Sequence, residues 1–122
     1  MKRVKTGVKG FDKLVQGGFP EKSIILLSGS PGTGKTIFGM EFLYNGITKF
    51  NQKGLYVSFE QSTNGLTNQA EQFGWDLEKM EQEDKIKLLC VPIKEIDRSI
   101  VDKIKNVVKK YDIKRLVIDS LS

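Results

Sequence analysis

The sequence predicts an α/β domain in which helices flank a parallel sheet. Three observations lead there. Short β-branched and leucine-rich runs, Ile24–Ser28, Leu55–Phe59, Ile86–Val91 and Leu116–Ile118, alternate with helix-length stretches. Such alternation needs crossover connections, and crossovers give parallel strands. Between the first run and the first helical stretch, Gly29-Ser30-Pro31-Gly32-Thr33-Gly34-Lys35-Thr36 fits G-x-x-x-x-G-K-[ST] without a departure. Two later runs end in carboxylates, Glu60 and Asp119, at the strand ends where open parallel sheets place their ligands.

Taken in order, Met1–Ser23 is loop-like and punctuated by glycine, with a short helical stretch at Phe11–Val15. Gln16-Gly17-Gly18-Phe19-Pro20 then forms a turn, because Gly-Gly followed by Phe-Pro cannot continue a helix. After the glycine-rich loop, Ile37 to Phe50 carries apolar residues on more than one face, as a helix packed on a sheet does. Ser62 or Thr63 is suited to cap the next helix, which runs to about Phe73 and stops at Gly74, a left-handed cap. Trp75–Met80 reads as a short helix or turn whose Trp75 and Leu77 cover the core edge, and Glu81–Lys85 as a charged loop. The helix Asp97–Tyr111 places Ile100, Ile104, Val107, Val108 and Tyr111 on one buried face.

Composition narrows the chemistry. The 122 residues suffice for one domain with a core. With 39% hydrophobic and 29% charged residues, the chain is expected to be globular rather than disordered. No apolar run approaches a membrane span. The basic start Met1-Lys2-Arg3-Val4-Lys5 lacks the apolar segment of a secretory signal, so a cytoplasmic protein is expected. The chain has no histidine, which removes His-based triads and His metal sites. The one cysteine, Cys90, cannot form an internal disulfide and reads as core packing. A net charge of +5 permits nucleic-acid contact, but the lysines are scattered, and those of Lys103–Lys110 fall on the polar face of a helix.

The loop Gly29–Thr36 is expected to bind a triphosphate. Its glycines let consecutive N–H groups turn inward on phosphate, and the helix that follows adds its unpaired donors and positive end. Lys35 is placed to reach the β- and γ-phosphates, and the Thr36 hydroxyl to ligate Mg²⁺. Asp119, closing a hydrophobic strand, is the expected second contributor to the Mg²⁺ shell. Glu60 is the candidate general base for in-line attack of water on the γ-phosphate. Ser120 could hydrogen-bond near the phosphate or start a turn.

These motifs resemble the KaiC-type branch of the RecA-like P-loop ATPases. The match runs from Thr6-Gly7-Val8-Lys9-Gly10-Phe11-Asp12 and Gly17-Gly18-Phe19-Pro20 through Gly29–Thr36 and Tyr56-Val57-Ser58-Phe59-Glu60. It continues in Phe73-Gly74-Trp75-Asp76-Leu77 and Val117-Ile118-Asp119-Ser120, in the family's order. The resemblance implies a RecA-like core that binds ATP and Mg²⁺ between subunits of a homo-oligomeric ring, usually a hexamer, and hydrolyses ATP. Lys35, Thr36 and Asp119 take the Walker roles and Glu60 that of the catalytic glutamate. Two departures stand out. Clock members of the family carry a Glu-Glu pair where this chain has Glu60-Gln61, so one carboxylate is lost. The chain also stops at Ser122, just past Asp119, whereas a RecA-like core is considerably longer. Its next strand inserts between the P-loop strand and the Asp119 strand, and without it both would be left with unpaired edges. Residues 1–122 are therefore expected to be the N-terminal part of one ATPase domain. Two rival expectations are a nucleotide-dependent regulator with little turnover, motivated by Gln61, and a recombinase-related DNA-binding ATPase, motivated by the charge.

Overall fold

The computed structural model describes residues 24–27, 33–96 and 99–119. The expected turn and short helix before residue 24, and the loop residues Gly29 to Gly32, lie outside them. Four strands form one sheet: β1 (Ile24–Leu27), β2 (Gly54–Ser58), β3 (Ile86–Cys90) and β4 (Arg115–Asp119). The order is β1-β4-β2-β3 and every pairing is parallel, as the alternating pattern predicts. The helices are α1 (Thr33–Phe50), α2 (Thr63–Gln72), α3 (Leu77–Gln82) and α4 (Ser99–Lys110).

Strand alternation sorts the core into two layers. Leu55 and Val57 of β2 and Leu116 and Ile118 of β4 pack on α4 through Ile100, Val101 and Ile104. The intervening residues Tyr56 and Val117 face the other way, onto Met40 and Leu43 of α1, Leu66 and Ala70 of α2, and Leu77 and Met80 of α3. Side chains two apart share a face, so Ser58 and Asp119 follow Tyr56 and Val117 onto the α1 side. That parity delivers both to the start of α1.

Close contact between α1 and the sheet depends on Gly39. A Cβ there would meet Val117 Cγ1 at 2.9 Å, Tyr56 Cε2 at 3.1 Å and Leu27 Cδ1 at 3.2 Å. At the far end of the helix, Arg115 ties β4 to α1. Its guanidinium donates to the Phe42 carbonyl and to Gln52 Oε1, each at 2.8 Å, and lies over the Phe42 and Phe50 rings.

All four helices are followed by a left-handed residue: Asn51, Gly74, Asp84 and Asp112, with φ of 53°, 82°, 58° and 54°. Glycine, asparagine and aspartate tolerate that conformation best. Ser62 caps α2 by accepting from the Gly65 N–H, and Asp76 caps α3 by accepting from the Lys79 N–H.

Several expected boundaries move. Helix α1 begins at Thr33 rather than Ile37, because its first turn carries no apolar periodicity to reveal it. Glu81 and Gln82 belong to α3 rather than to a loop. A 3-10 turn at Ile93–Glu95, closed by the Glu95 N–H on the Pro92 carbonyl, follows β3. The expectation of unpaired strand edges between β1 and β4 is also corrected. The two strands pair directly, Ile24 with Leu116 through Leu27 with Asp119, so their facing backbone groups satisfy one another.

Replacing Gly39 tests the close approach. Alanine in a helix interior is worth about 1 kcal/mol over glycine, whereas overpacking a tight core costs roughly 1–3 kcal/mol. Here the neighbours are a strand side chain, an aromatic ring and a leucine, all buried. Gly39→Ala should therefore lower stability, read as a reduced urea midpoint with an unchanged slope.

Candidate functional site

Lys35 is the centre of the site. It lies in the first turn of α1, and its ammonium sits 3.2 Å from Glu60 Oε2 and 3.1 Å from Asp119 Oδ1. Three residues far apart in sequence thus converge at the carboxyl ends of β2 and β4. Burial alone would lower the lysine pKa, but hydrogen bonding and charge from Asp119 and Glu60 outweigh it and hold the ammonium above its ordinary value.

Asp119 ends β4 with no solvent contact. The Tyr56 hydroxyl donates to its Oδ2 at 2.7 Å. Oδ1 faces Lys35 and receives no well-aligned hydrogen bond from the described residues. Burial pushes the Tyr56 phenol far above its usual pKa, and the Asp119 carboxylate pushes it further, so Tyr56 stays a donor. The neighbouring Thr36 side chain acts on the same phenol in the opposite direction, without overcoming the rise.

Thr36 is itself buried, at 1% exposure. Its Oγ1 accepts from Gln61 Nε2 at 2.9 Å. Two separate hydrogen bonds therefore serve these oxygens, Gln61 to Thr36 and Tyr56 to Asp119. Gln61 and Glu60 are set by Ser58, whose buried hydroxyl accepts from both their N–H groups, at 3.0 Å and 3.3 Å. This bracket folds the chain back as it leaves β2, turning Glu60 toward Lys35 and Gln61 toward Thr36.

The residues read from sequence fare as follows. Lys35, Thr36, Glu60 and Asp119 come together. Gly29, Ser30, Pro31, Gly32 and Ser120 lie outside the described residues. Thr33 opens α1. A Cβ on Gly34 would meet no heavy atom of the described residues within 4 Å, so their packing does not demand glycine there. Cys90 is half-buried in the core layer beside β2, and burial pushes its thiol up, as suits a packing residue rather than a reactive thiolate. Tyr56, Ser58 and the Gln61–Thr36 bond were not read from sequence. Tyr56 looks like an ordinary strand aromatic, and its contact spans 63 positions.

For a metal, the donors present are oxygens: the Thr36 hydroxyl and the Asp119 carboxylate, both buried. Among the described residues no group of three or more His, Cys, Asp or Glu side chains is placed to hold an ion. A short set of hard oxygen ligands fits Mg²⁺, which keeps several waters and takes substrate oxygens.

A parallel sheet whose G-x-x-x-x-G-K-[ST] segment opens a helix, with its lysine paired to carboxylates at two strand ends, defines a P-loop nucleoside-triphosphatase fold of the RecA-like type. The family model described as "ATPase: KaiC" matches residues 4–122, and the chain belongs to that family. It is 36% identical to a UPF0273 protein of Methanocaldococcus jannaschii, over the whole of this chain and 57% of that protein. A UPF0273 protein of Thermotoga maritima gives the same identity and coverage. The circadian clock oscillator protein KaiC of Prochlorococcus marinus is 36% identical over the whole chain and 26% of its own length. The chain thus spans little more than half of the first relatives and about a quarter of the clock protein.

The ion pairs predict an alkaline limit. The Lys35 pKa is raised above its ordinary 10.5, so the stability it contributes is complete below that pH and is lost as pH rises through the folded-state value. Lys35→Met, which leaves the buried Asp119 without this counter-charge, should cost on the order of 3 kcal/mol near neutrality. Denaturant titrations from pH 7 to pH 11 check both, and the variant should lose the part of the alkaline fall that Lys35 causes.

Proposed function

We propose that this chain binds ATP with Mg²⁺ at the Lys35–Glu60–Asp119 cluster and hydrolyses it. The convergence of these three side chains within 3.2 Å supports the reading above all else. Lys35 gives the β- and γ-phosphates a cation at the positive end of α1. The freedom at Gly34 supports a backbone that phosphate approaches closely. Thr36 and Asp119 are the residues that would hold Mg²⁺, which supplies charge neutralisation on the phosphate oxygens.

Glu60 is the proposed general base. It takes a proton from water as the water oxygen bonds to the γ-phosphorus and the bond to the β-phosphate oxygen breaks, leaving ADP and inorganic phosphate. Its carboxylate pairs with the same ammonium that would meet the triphosphate, so the substrate competes with Glu60 for Lys35 and frees the base as it binds. Residues 1–122 are read as the N-terminal part of one such domain, supported by the share of the relatives that the chain spans. Assembly into a ring, with a hexamer as the family resemblance implies, belongs to the same proposal, as does a cytoplasmic location. Among the described residues no helix is long and apolar enough to cross a membrane.

One observation favours a second reading, a nucleotide-dependent regulator with little turnover. Gln61 stands where clock members carry a second glutamate, and its amide donates to Thr36. The DNA-binding reading gains no comparable support, since Lys103, Lys105, Lys109 and Lys110 are spread over an exposed helix face.

In the full-length protein, Lys35→Ala should abolish Mg-ATP binding by calorimetry. Glu60→Gln should leave binding intact and cut phosphate release by about 10²–10⁴-fold. Unchanged release in Glu60→Gln would remove Glu60 from the mechanism. Tight binding without release in the unmodified protein would select the regulator reading.

A further inference from the structure

We infer that Tyr56 is a positioning residue for the divalent cation: its buried hydroxyl orients Asp119, one of the two proposed metal-holding side chains. The inference rests on the ATP-Mg²⁺ reading above and adds to it a strand residue to which that reading gives no role.

Strand register brings the two residues together. Ser58 of β2 lies opposite Asp119 of β4, and Tyr56 lies opposite Val117. Tyr56 and Asp119 are therefore diagonal neighbours on the α1 face, and only a long side chain spans that diagonal. Tyr56 does so with its ring fully buried and its hydroxyl 2.7 Å from Asp119 Oδ2. A carboxylate attached through one rotatable bond to its Cβ can turn either oxygen outward. The Tyr56 hydrogen bond engages Oδ2 and so leaves Oδ1, which takes no well-aligned hydrogen bond from the described residues, as the oxygen that faces Lys35 and the phosphate side. In this respect Tyr56 does for the aspartate what outer partners do for metal-bound histidines, where their loss typically weakens metal binding by about 10–100-fold.

Thr36 is oriented by a different partner, Gln61 Nε2, which donates to its Oγ1 at 2.9 Å. A phenylalanine at 56 would fill the same volume and leave Asp119 Oδ2 without its hydrogen bond.

The test compares Tyr56→Phe with the unmodified full-length protein. Mg²⁺ is titrated at a fixed concentration of a fluorescent, non-hydrolysable ATP analogue, and the same analogue is titrated in excess chelator. The expected result is a Mg²⁺ midpoint raised at least about tenfold, with metal-free analogue binding unchanged. An unchanged midpoint overturns the inference. So does an equal loss in both titrations, which would make Tyr56 a support of the pocket and not of the cation. If the unmodified protein binds the analogue with no Mg²⁺ dependence, the functional reading fails first and this one with it. Should Tyr56→Phe not fold, 3-fluorotyrosine placed at 56 keeps the hydroxyl and reports by ¹⁹F resonance. Its signal should shift as Mg²⁺ joins the analogue complex, and a stationary signal overturns the inference.

Discussion

A carboxylate with no access to water, at the end of an interior strand, constrains everything around Asp119. Removing such an ion from solvent costs several kcal/mol unless a counter-charge and hydrogen bonds replace the water. Asp119 is fully buried, and two groups meet that demand: the Lys35 ammonium on one oxygen and the Tyr56 hydroxyl on the other. Neither can be supplied from β4 itself. Lys35 reaches Asp119 only because α1 starts where the first strand ends, and Tyr56 only because β2 lies beside β4 in the matching register. The order of the strands and the start of the first helix are therefore conditions for burying this one charge.

The parity of the strands separates what holds the fold from what forms the site. Along β4, Leu116 and Ile118 serve one layer while Val117 and Asp119 serve the other. Along β2, Leu55 and Val57 alternate in the same way with Tyr56 and Ser58. The α1 side is thus apolar through most of its length and becomes polar only at its carboxyl end. Gly39 keeps the helix close to the sheet in the apolar part, and Arg115 clamps its far end. Together they set the angle at which Lys35 and Thr36 arrive.

Much of this was legible in the residues alone. The loop motif, the strand-end carboxylates and the alternation of strand and helix each have a local signature, and Lys35, Thr36, Glu60 and Asp119 assemble as their spacing suggests. Gly74 was legible as a helix stop because glycine announces a left-handed turn, whereas Asn51, Asp84 and Asp112 do the same job with side chains that are common in loops of every kind. Tyr56 was not legible. A tyrosine in a β-branched run reads as core, and it is core. Its second role appears only once register places Asp119 on its diagonal. Ser58 is hidden for the same reason, since a small polar strand residue carries no pattern, and Gln61 stands out in the sequence only by its place after Glu60, with no sign of its bond to Thr36. The direct pairing of β1 with β4 among the described residues has no signature in the sequence, since two apolar strands do not announce which neighbour each takes.

Lys35 is shared by two carboxylates in unequal surroundings. The two carboxylates differ in what happens when they are left alone. The Glu60 side chain is 21% exposed and can recover hydration at little cost, whereas Asp119 is 0% exposed and cannot. Breaking the half-open pair resembles losing a surface ion pair, worth about 0–1 kcal/mol. Breaking the closed pair leaves a bare buried charge, at roughly 3–5 kcal/mol. The ammonium is therefore tied more firmly to Asp119 than to Glu60. Of its two partners, the one with access to water is cheap to part from Lys35, and the closed one, held on its other oxygen by a tyrosine, is not.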